Sequence, residues 1–210
     1  MEKKYKHALV LGKFMPLHRG HQYLIETAAE QSEQVTVLVC SLPTEPIPGA
    51  LRYAWVKRIY PQLRVIHLTD LNPSYPAQHK FFDAIWTDSL RRNVPQADVV
   101  FSSEDYGANI ARWLGIAEVL VDKPRQQFSV SGTAVRQNPW ANWDFLPPPV
   151  RGYYCRKVAL IGPESVGKTT LAEQLAAHFE AAWVAEYGRD YTDRFGTDLS
   201  PLDLSHIAAG

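Results

Sequence analysis

The stretch His7-Ala8-Leu9-Val10-Leu11-Gly12-Lys13-Phe14-Met15-Pro16-Leu17-His18-Arg19-Gly20-His21 decides how this chain is read. Its first five residues form a short, largely apolar run closed by a glycine, the pattern of a strand buried on both faces. Its last residues open an amphipathic stretch from Gly20 to Gln31, which predicts a helix. Gly12 allows an unusual backbone turn or the close approach of a ligand. His18 and His21 stand three residues apart at the helix start, so both face one side of its first turn. A helix start carries unpaired N–H groups and a partial positive charge, which favour phosphate. Two imidazoles there can donate hydrogen bonds to oxygens that gain charge as a phosphoryl bond breaks. A zinc site fits less well, because no third ligand of suitable type lies nearby, and no metal-ligating residue is assigned.

Working outward, four more candidate strands follow: Val35 to Cys40, Leu63 to Leu68, Asp98 to Ser102 and Ala117 to Val121. Helix-like segments lie between them at Leu51 to Tyr60, Gln78 to Arg92 and Asp105 to Leu114. Strand–helix alternation of this kind predicts an α/β fold, a parallel sheet covered on both faces. Ligands of such sheets bind beyond the carboxyl ends of the strands, which directs attention to the loops after the first, fourth and fifth. After the fifth strand comes Ser129-Val130-Ser131-Gly132-Thr133-Ala134-Val135-Arg136. Ser131 is a good N-cap residue, the Ser131 and Thr133 hydroxyls suit phosphate oxygens, and Arg136 offers a rigid fork of donors for two of them.

The texture then changes. Residues 138–154 are rich in proline and aromatic residues and lack periodicity, so they read as a linker whose aromatics pack on the first domain. Lys157 to Ile161 reads as a new strand, followed by Gly162-Pro163-Glu164-Ser165-Val166-Gly167-Lys168-Thr169. That run satisfies the P-loop pattern, in which Gly162 and Gly167 let backbone N–H groups reach phosphates, Lys168 meets them, and Thr169 ligates Mg²⁺. Ser200-Pro201 reads as the cap and first position of a further helix before the chain stops at Gly210. Too little follows the P-loop for a whole nucleotide-binding domain, so a shortened half is expected. The surface it leaves is expected to dock on the first domain or to self-associate into a homo-oligomer.

Composition narrows the function class. The 210 residues are 46% hydrophobic, and 22 basic side chains balance 22 acidic ones. A domain-wide basic field for nucleic acid is therefore absent. Two distant cysteines imply no disulfide framework and fit a reducing cytosol. No segment approaches the ~20 apolar residues of a membrane span, so a soluble, cytoplasmic protein is expected.

His18-Arg19-Gly20-His21, preceded by Gly12, Phe14 and Pro16, resembles the H-x-G-H signature of the nucleotidylyltransferase superfamily. Ser131, Thr133 and Arg136 resemble its S-x-T-x-x-R segment. The resemblance implies a Rossmann-like parallel sheet, followed here by a partial P-loop NTPase domain. It divides the chain into a transferase domain (1–137), the linker (138–154) and a truncated P-loop kinase domain (155–210). It also implies ATP binding by Gly12, Lys13, Phe14, His18, His21, Ser131, Thr133 and Arg136, with His18, His21 and Arg136 catalytic, and Mg²⁺ carried in on ATP.

The stretches Arg52 to Trp55, Asn72 to Pro76, Val100 to Gly107 and Trp143 to Pro147 resemble one branch, the bifunctional nicotinamide-nucleotide adenylyltransferase/ribosylnicotinamide kinase family. This implies adenylyl transfer from ATP to nicotinamide mononucleotide, with Arg52, Trp55, Tyr75, Ser103 and Glu104 as candidate contacts of the acceptor. An aromatic ring, Trp55, Tyr75 or Trp86, would stack on the cationic pyridine. Little kinase activity is expected of the shortened second half. Other acceptors, phosphopantetheine or glycerol phosphate, remain open at this point, as does an inactive nucleotide-sensing module. A repressor role is disfavoured, because the first strand begins within about ten residues and leaves no room for a helix-turn-helix.

Overall fold

The computed structural model describes residues 3–163 and 165–209. Five strands, β1 (Tyr5–Gly12), β2 (Ser32–Cys40), β3 (Arg64–Leu68), β4 (Val99–Ser102) and β5 (Ala117–Leu120), form one sheet in the order β3-β2-β1-β4-β5. Every pairing is parallel, with Leu9 opposite both Thr36 and Val100. Side chains alternate across a strand, so one strand feeds two cores. Ala8, Val10, Val37, Val39 and Phe101 face α1 (Arg19–Gln31) and α2 (Gly49–Ile59), where Leu24, Ile25 and Val56 meet them. Leu9, Leu11, Leu38 and Val100 face α3 (Phe82–Asn93) and α4 (Tyr106–Leu114), through Leu90 and Ile110. The chain runs outward from β1 through β2 to β3, then returns across β1 to lay down β4 and β5. A crevice therefore opens where β1 and β4 diverge, at their carboxyl ends.

The expected helix from Gln78 starts later, at Phe82, because Pro76–Gln78 forms a separate 3₁₀ turn. The Gln78 side chain folds back to accept hydrogen bonds from the Ser74 and Tyr75 N–H groups, at 2.6 and 3.1 Å, and caps the start of that turn. A larger correction concerns residues 138–154. They do not form an irregular linker: a 3₁₀ turn (Trp143–Phe145) and α6 (Pro148–Tyr154) follow α5 (Gly132–Gln137). Pro148 and Pro149 sit in the first turn of α6, where a missing N–H is no loss. Leu146 and Val150 are buried in the same core as α1 and α2. The first compact unit accordingly runs from Met1 to Cys155, taking this segment in. Leu146→Ala is expected to lower unfolding free energy by about 2–5 kcal/mol, the cost of emptying a core leucine site. A linker residue would cost under about 0.5 kcal/mol, and urea denaturation distinguishes the two.

The second unit, Arg156–Gly210, contains α7 (Lys168–His178), α8 (Tyr187–Phe195) and α9 (Pro201–Ala209). The expected strand at 157–161 is absent from the described residues of this unit, and Val158 and Ile161 are exposed. An apolar run becomes a strand only beside a partner that takes its N–H and C=O groups, and no described segment of 156–209 pairs with it. The α9 start follows expectation: Ser200 and Asp203 cap it reciprocally, with Asp203 Oδ2 accepting from the Ser200 N–H at 2.8 Å. Within the P-loop, Glu164 lies outside the described residues. Gly167 takes φ 84°, and Lys168 Nζ donates to the Pro163 carbonyl at 2.7 Å. Gly162 is exposed and Thr169 is half-buried.

Candidate active site

The loop after β1 carries the first motif to the crevice. His18 is the N-cap of α1, and Gln22 N donates to His18 O in the first helical bond, leaving the N–H groups of Arg19, Gly20 and His21 without helical partners. The two imidazoles stack with centroids 3.8 Å apart, and Phe14 packs edge-on against His21 at 5.0 Å. In both rings Nδ1 is buried without a partner, leaving Nε2 as the nitrogen each can turn to a ligand.

The second motif meets the first. Ser131 caps α5, accepting from Ala134 N at 3.1 Å, and Arg136 donates to the Met15 carbonyl and, at 3.1 Å, to Thr133 Oγ1. A Cβ at Gly132 would stand 2.7 Å from the Met15 carbonyl oxygen, so the backbones approach too closely for any larger residue. Gly20 in turn lies close to Val130. Imidazoles, hydroxyls and a guanidinium thus share one end of the sheet.

Two of the expected acceptor contacts are corrected. Arg52 is fully buried, and its donors are occupied by Ile47 O (3.0 Å), Lys13 O (2.6 Å), Cys40 O (3.1 Å) and Glu45 Oε2 (2.5 Å). It ties the loops after β1 and β2 together, with four of its five N–H donors engaged, and its full burial keeps it from a substrate. Trp55 is only 4% exposed and belongs to the core beside Val56. Trp86 gives its indole N–H to Pro73 O at 2.9 Å, whereas the Tyr75 ring is 67% exposed on the loop after β3. Ser103 and Glu104 follow β4, and Glu104 pairs with Arg125 at 3.3 Å. Lys13 lies between the loops, 2.8 Å from Glu45 Oε1 and 3.3 Å from Ser74 Oγ.

Arg125 escaped sequence reading, for it stands in Lys123-Pro124-Arg125-Gln126-Gln127 with no motif around it. The fold brings its charge to the histidines. Burial first, then Arg125, lowers the His18 pKa to about 4. Burial, His18 and Arg125 hold His21 well below the ordinary imidazole value. Both rings are therefore neutral at pH 7. The unfolded chain takes up these protons near 6.5, the folded one only at lower pH. Unfolding free energy should thus be fully developed above pH 6.5 and fall as pH drops toward 4, by a few kcal/mol in order of magnitude. The urea midpoint between pH 7 and 4.5 measures this, and His18→Gln should flatten the slope.

A parallel sheet of this order, with a histidine pair at the β1 end and an arginine helix beside it, defines the Rossmann-like domain of the nucleotidylyltransferase superfamily. Within it, the chain is homologous to proteins of the bifunctional nicotinamide-nucleotide adenylyltransferase/ribosylnicotinamide kinase family. Residues 7–127 match the family model described as the citrate lyase ligase C-terminal domain, and residues 157–207 match an AAA domain. The chain is 32% identical over 225 residues to the trifunctional NAD biosynthesis/regulator protein NadR of Escherichia coli (strain K12), covering 96% of this chain and 54% of that one. It thus spans about half the length of the curated relatives it matches first. A nicotinamide-nucleotide adenylyltransferase of Methanospirillum hungatei JF-1 is 26% identical over 157 residues, 68% of this chain and 83% of that one. A crystal structure of NadR protein in complex with NAD and AMP-PNP has a TM-score of 0.74 at 23% identity, covering all of this chain and 65% of that one, a likeness of fold.

Proposed function

We propose that this chain transfers the adenylyl group of ATP to nicotinamide mononucleotide, forming NAD and pyrophosphate in NAD biosynthesis. The observation that carries the reading is the convergence of the His18–His21 pair and the Ser131–Arg136 segment at the carboxyl end of β1. A phosphate oxygen of the mononucleotide attacks the α-phosphorus in line, and the bond to pyrophosphate breaks. No side chain is needed as nucleophile, so catalysis rests on positioning and charge stabilisation. Neutral imidazoles donate through Nε2 to oxygens that become more negative. Arg136, Thr133 and Ser131 hold the departing pyrophosphate, and Arg125 adds a second guanidinium beside the histidines.

The donors gathered here, imidazole, hydroxyl, guanidinium and ammonium, suit the triphosphate rather than a resident ion. Mg²⁺ would arrive on the nucleotide's own oxygens and offset their charge. Tyr75, the most exposed of the three candidate rings, is the aromatic best placed to cover the pyridine.

The deciding experiment incubates the chain with ATP and, separately, nicotinamide mononucleotide, its deamidated analogue, phosphopantetheine and glycerol phosphate. NAD formed with release of pyrophosphate supports the reading. Pyrophosphate release with either of the last two acceptors, and none with a pyridine mononucleotide, would overturn it. Residues 156–209 are proposed to contribute little riboside phosphorylation, because their apolar residues remain exposed around the P-loop. Riboside phosphorylation abolished by Lys168→Ala would contradict that.

A further inference from the structure

Glu45 sits in the proline-flanked loop between β2 and α2, its side chain 8% exposed. Its two oxygens do different things. Oε2 accepts from Leu42 N at 3.0 Å and from Arg52 Nη2 at 2.5 Å. Oε1 forms an ion pair with Lys13 Nζ at 2.8 Å. Among the described residues, Glu45 is the carboxylate paired with the fully buried Arg52. Arg52 in turn holds the Lys13 carbonyl at 2.6 Å. One carboxylate therefore anchors Lys13 at both ends, its ammonium directly and its carbonyl through Arg52.

The next residue is Phe14, at φ 45°, a left-handed conformation that a bulky side chain seldom adopts without being held. The Phe14 ring is buried against His21, and His21 stacks on His18. A continuous line of contacts thus runs from Glu45, whose side chain is buried, through Arg52 and the Lys13–Phe14 turn to the imidazoles. A buried guanidinium deprived of its counter-charge is strongly disfavoured and turns toward water. It would then drop the Lys13 carbonyl and free the turn.

We propose that Glu45 is a positioning residue for adenylyl transfer, acting through Arg52 and the Lys13–Phe14 turn to set the histidine pair. The inference rests on the transferase reading above, and its readouts separate the two. Glu45→Gln keeps an acceptor for Leu42 N but removes the charge. The expected result is a cooperatively folded protein with kcat lowered tenfold or more and the KM for the mononucleotide within twofold. The ligand-free imidazole ¹H–¹⁵N resonances of His18 and His21 should shift. Glu45→Asp should recover part of kcat. Added to His18→Ala/His21→Ala, Glu45→Gln should cost less than twofold more, since the groups it positions are gone.

Wild-type kcat in folded Glu45→Gln, unmoved imidazole resonances, or full additivity with the histidine variants would overturn the proposal. So would failure of both Glu45 variants to fold, which would assign the residue to the core alone. A wild-type chain that releases no pyrophosphate overturns the transferase reading, while the resonances still decide whether Glu45 sets the histidines.

Discussion

Alanine at His18 or at His21 is expected to lower kcat by about 10²–10³-fold while leaving ATP affinity within a fewfold of wild type. The two rings lie in van der Waals contact, and each has one nitrogen sealed in the protein and one free. A neutral donor gains little against the resting triphosphate, whose oxygens already attract Arg136 and water. It gains more as negative charge builds on the α-phosphoryl oxygens, and a contact that strengthens along the reaction appears in kcat. The paired variant should lose much less than the product of the single losses, because removing either ring unseats the other. Steady-state pyrophosphate release, with ATP binding measured by calorimetry, gives both numbers. Single variants that keep wild-type turnover would remove the histidines from the mechanism.

Arg136→Ala is expected to cost about 10³-fold or more in kcat/KM for ATP, the scale of an arginine that stabilises a transferring phosphoryl group. Its guanidinium is held by the Met15 carbonyl and Thr133 Oγ1, so it is aimed along the first motif. Those bonds hold a planar fork that lysine cannot reproduce. Arg136→Lys should therefore recover only a small part of the loss, whereas a role limited to net charge would be largely rescued by it. Measuring the three forms side by side decides between the fork and the charge.

The sheet was readable because a parallel strand covered on both faces must be apolar at nearly every position, as Ala8 to Leu11 and Val35 to Val39 are. The meeting of the two motif segments was also readable, since loops after the strands of a parallel sheet share one end of it. What lay hidden depends on contacts between segments distant in sequence. Glu45 stands among prolines with no periodicity, and only the folded chain brings it to Arg52 and Lys13. Arg52 looked available to a ligand, because its position on a helix does not reveal that four loop groups surround it. Lys157 to Ile161 looked like a strand, because an apolar run carries no sign of whether a neighbour will complete its ladder.

The seating of Leu146 and Val150 among the side chains of α1 and α2 bears on how the gene is divided for separate expression. A fragment ending at residue 137, where motif boundaries invite the cut, would lose these apolar plugs and leave an oily hollow facing solvent. Such a fragment would be prone to aggregate, and its low activity could be mistaken for a catalytic defect. A cut after Cys155 keeps the plugs in place and gives the histidines their native support.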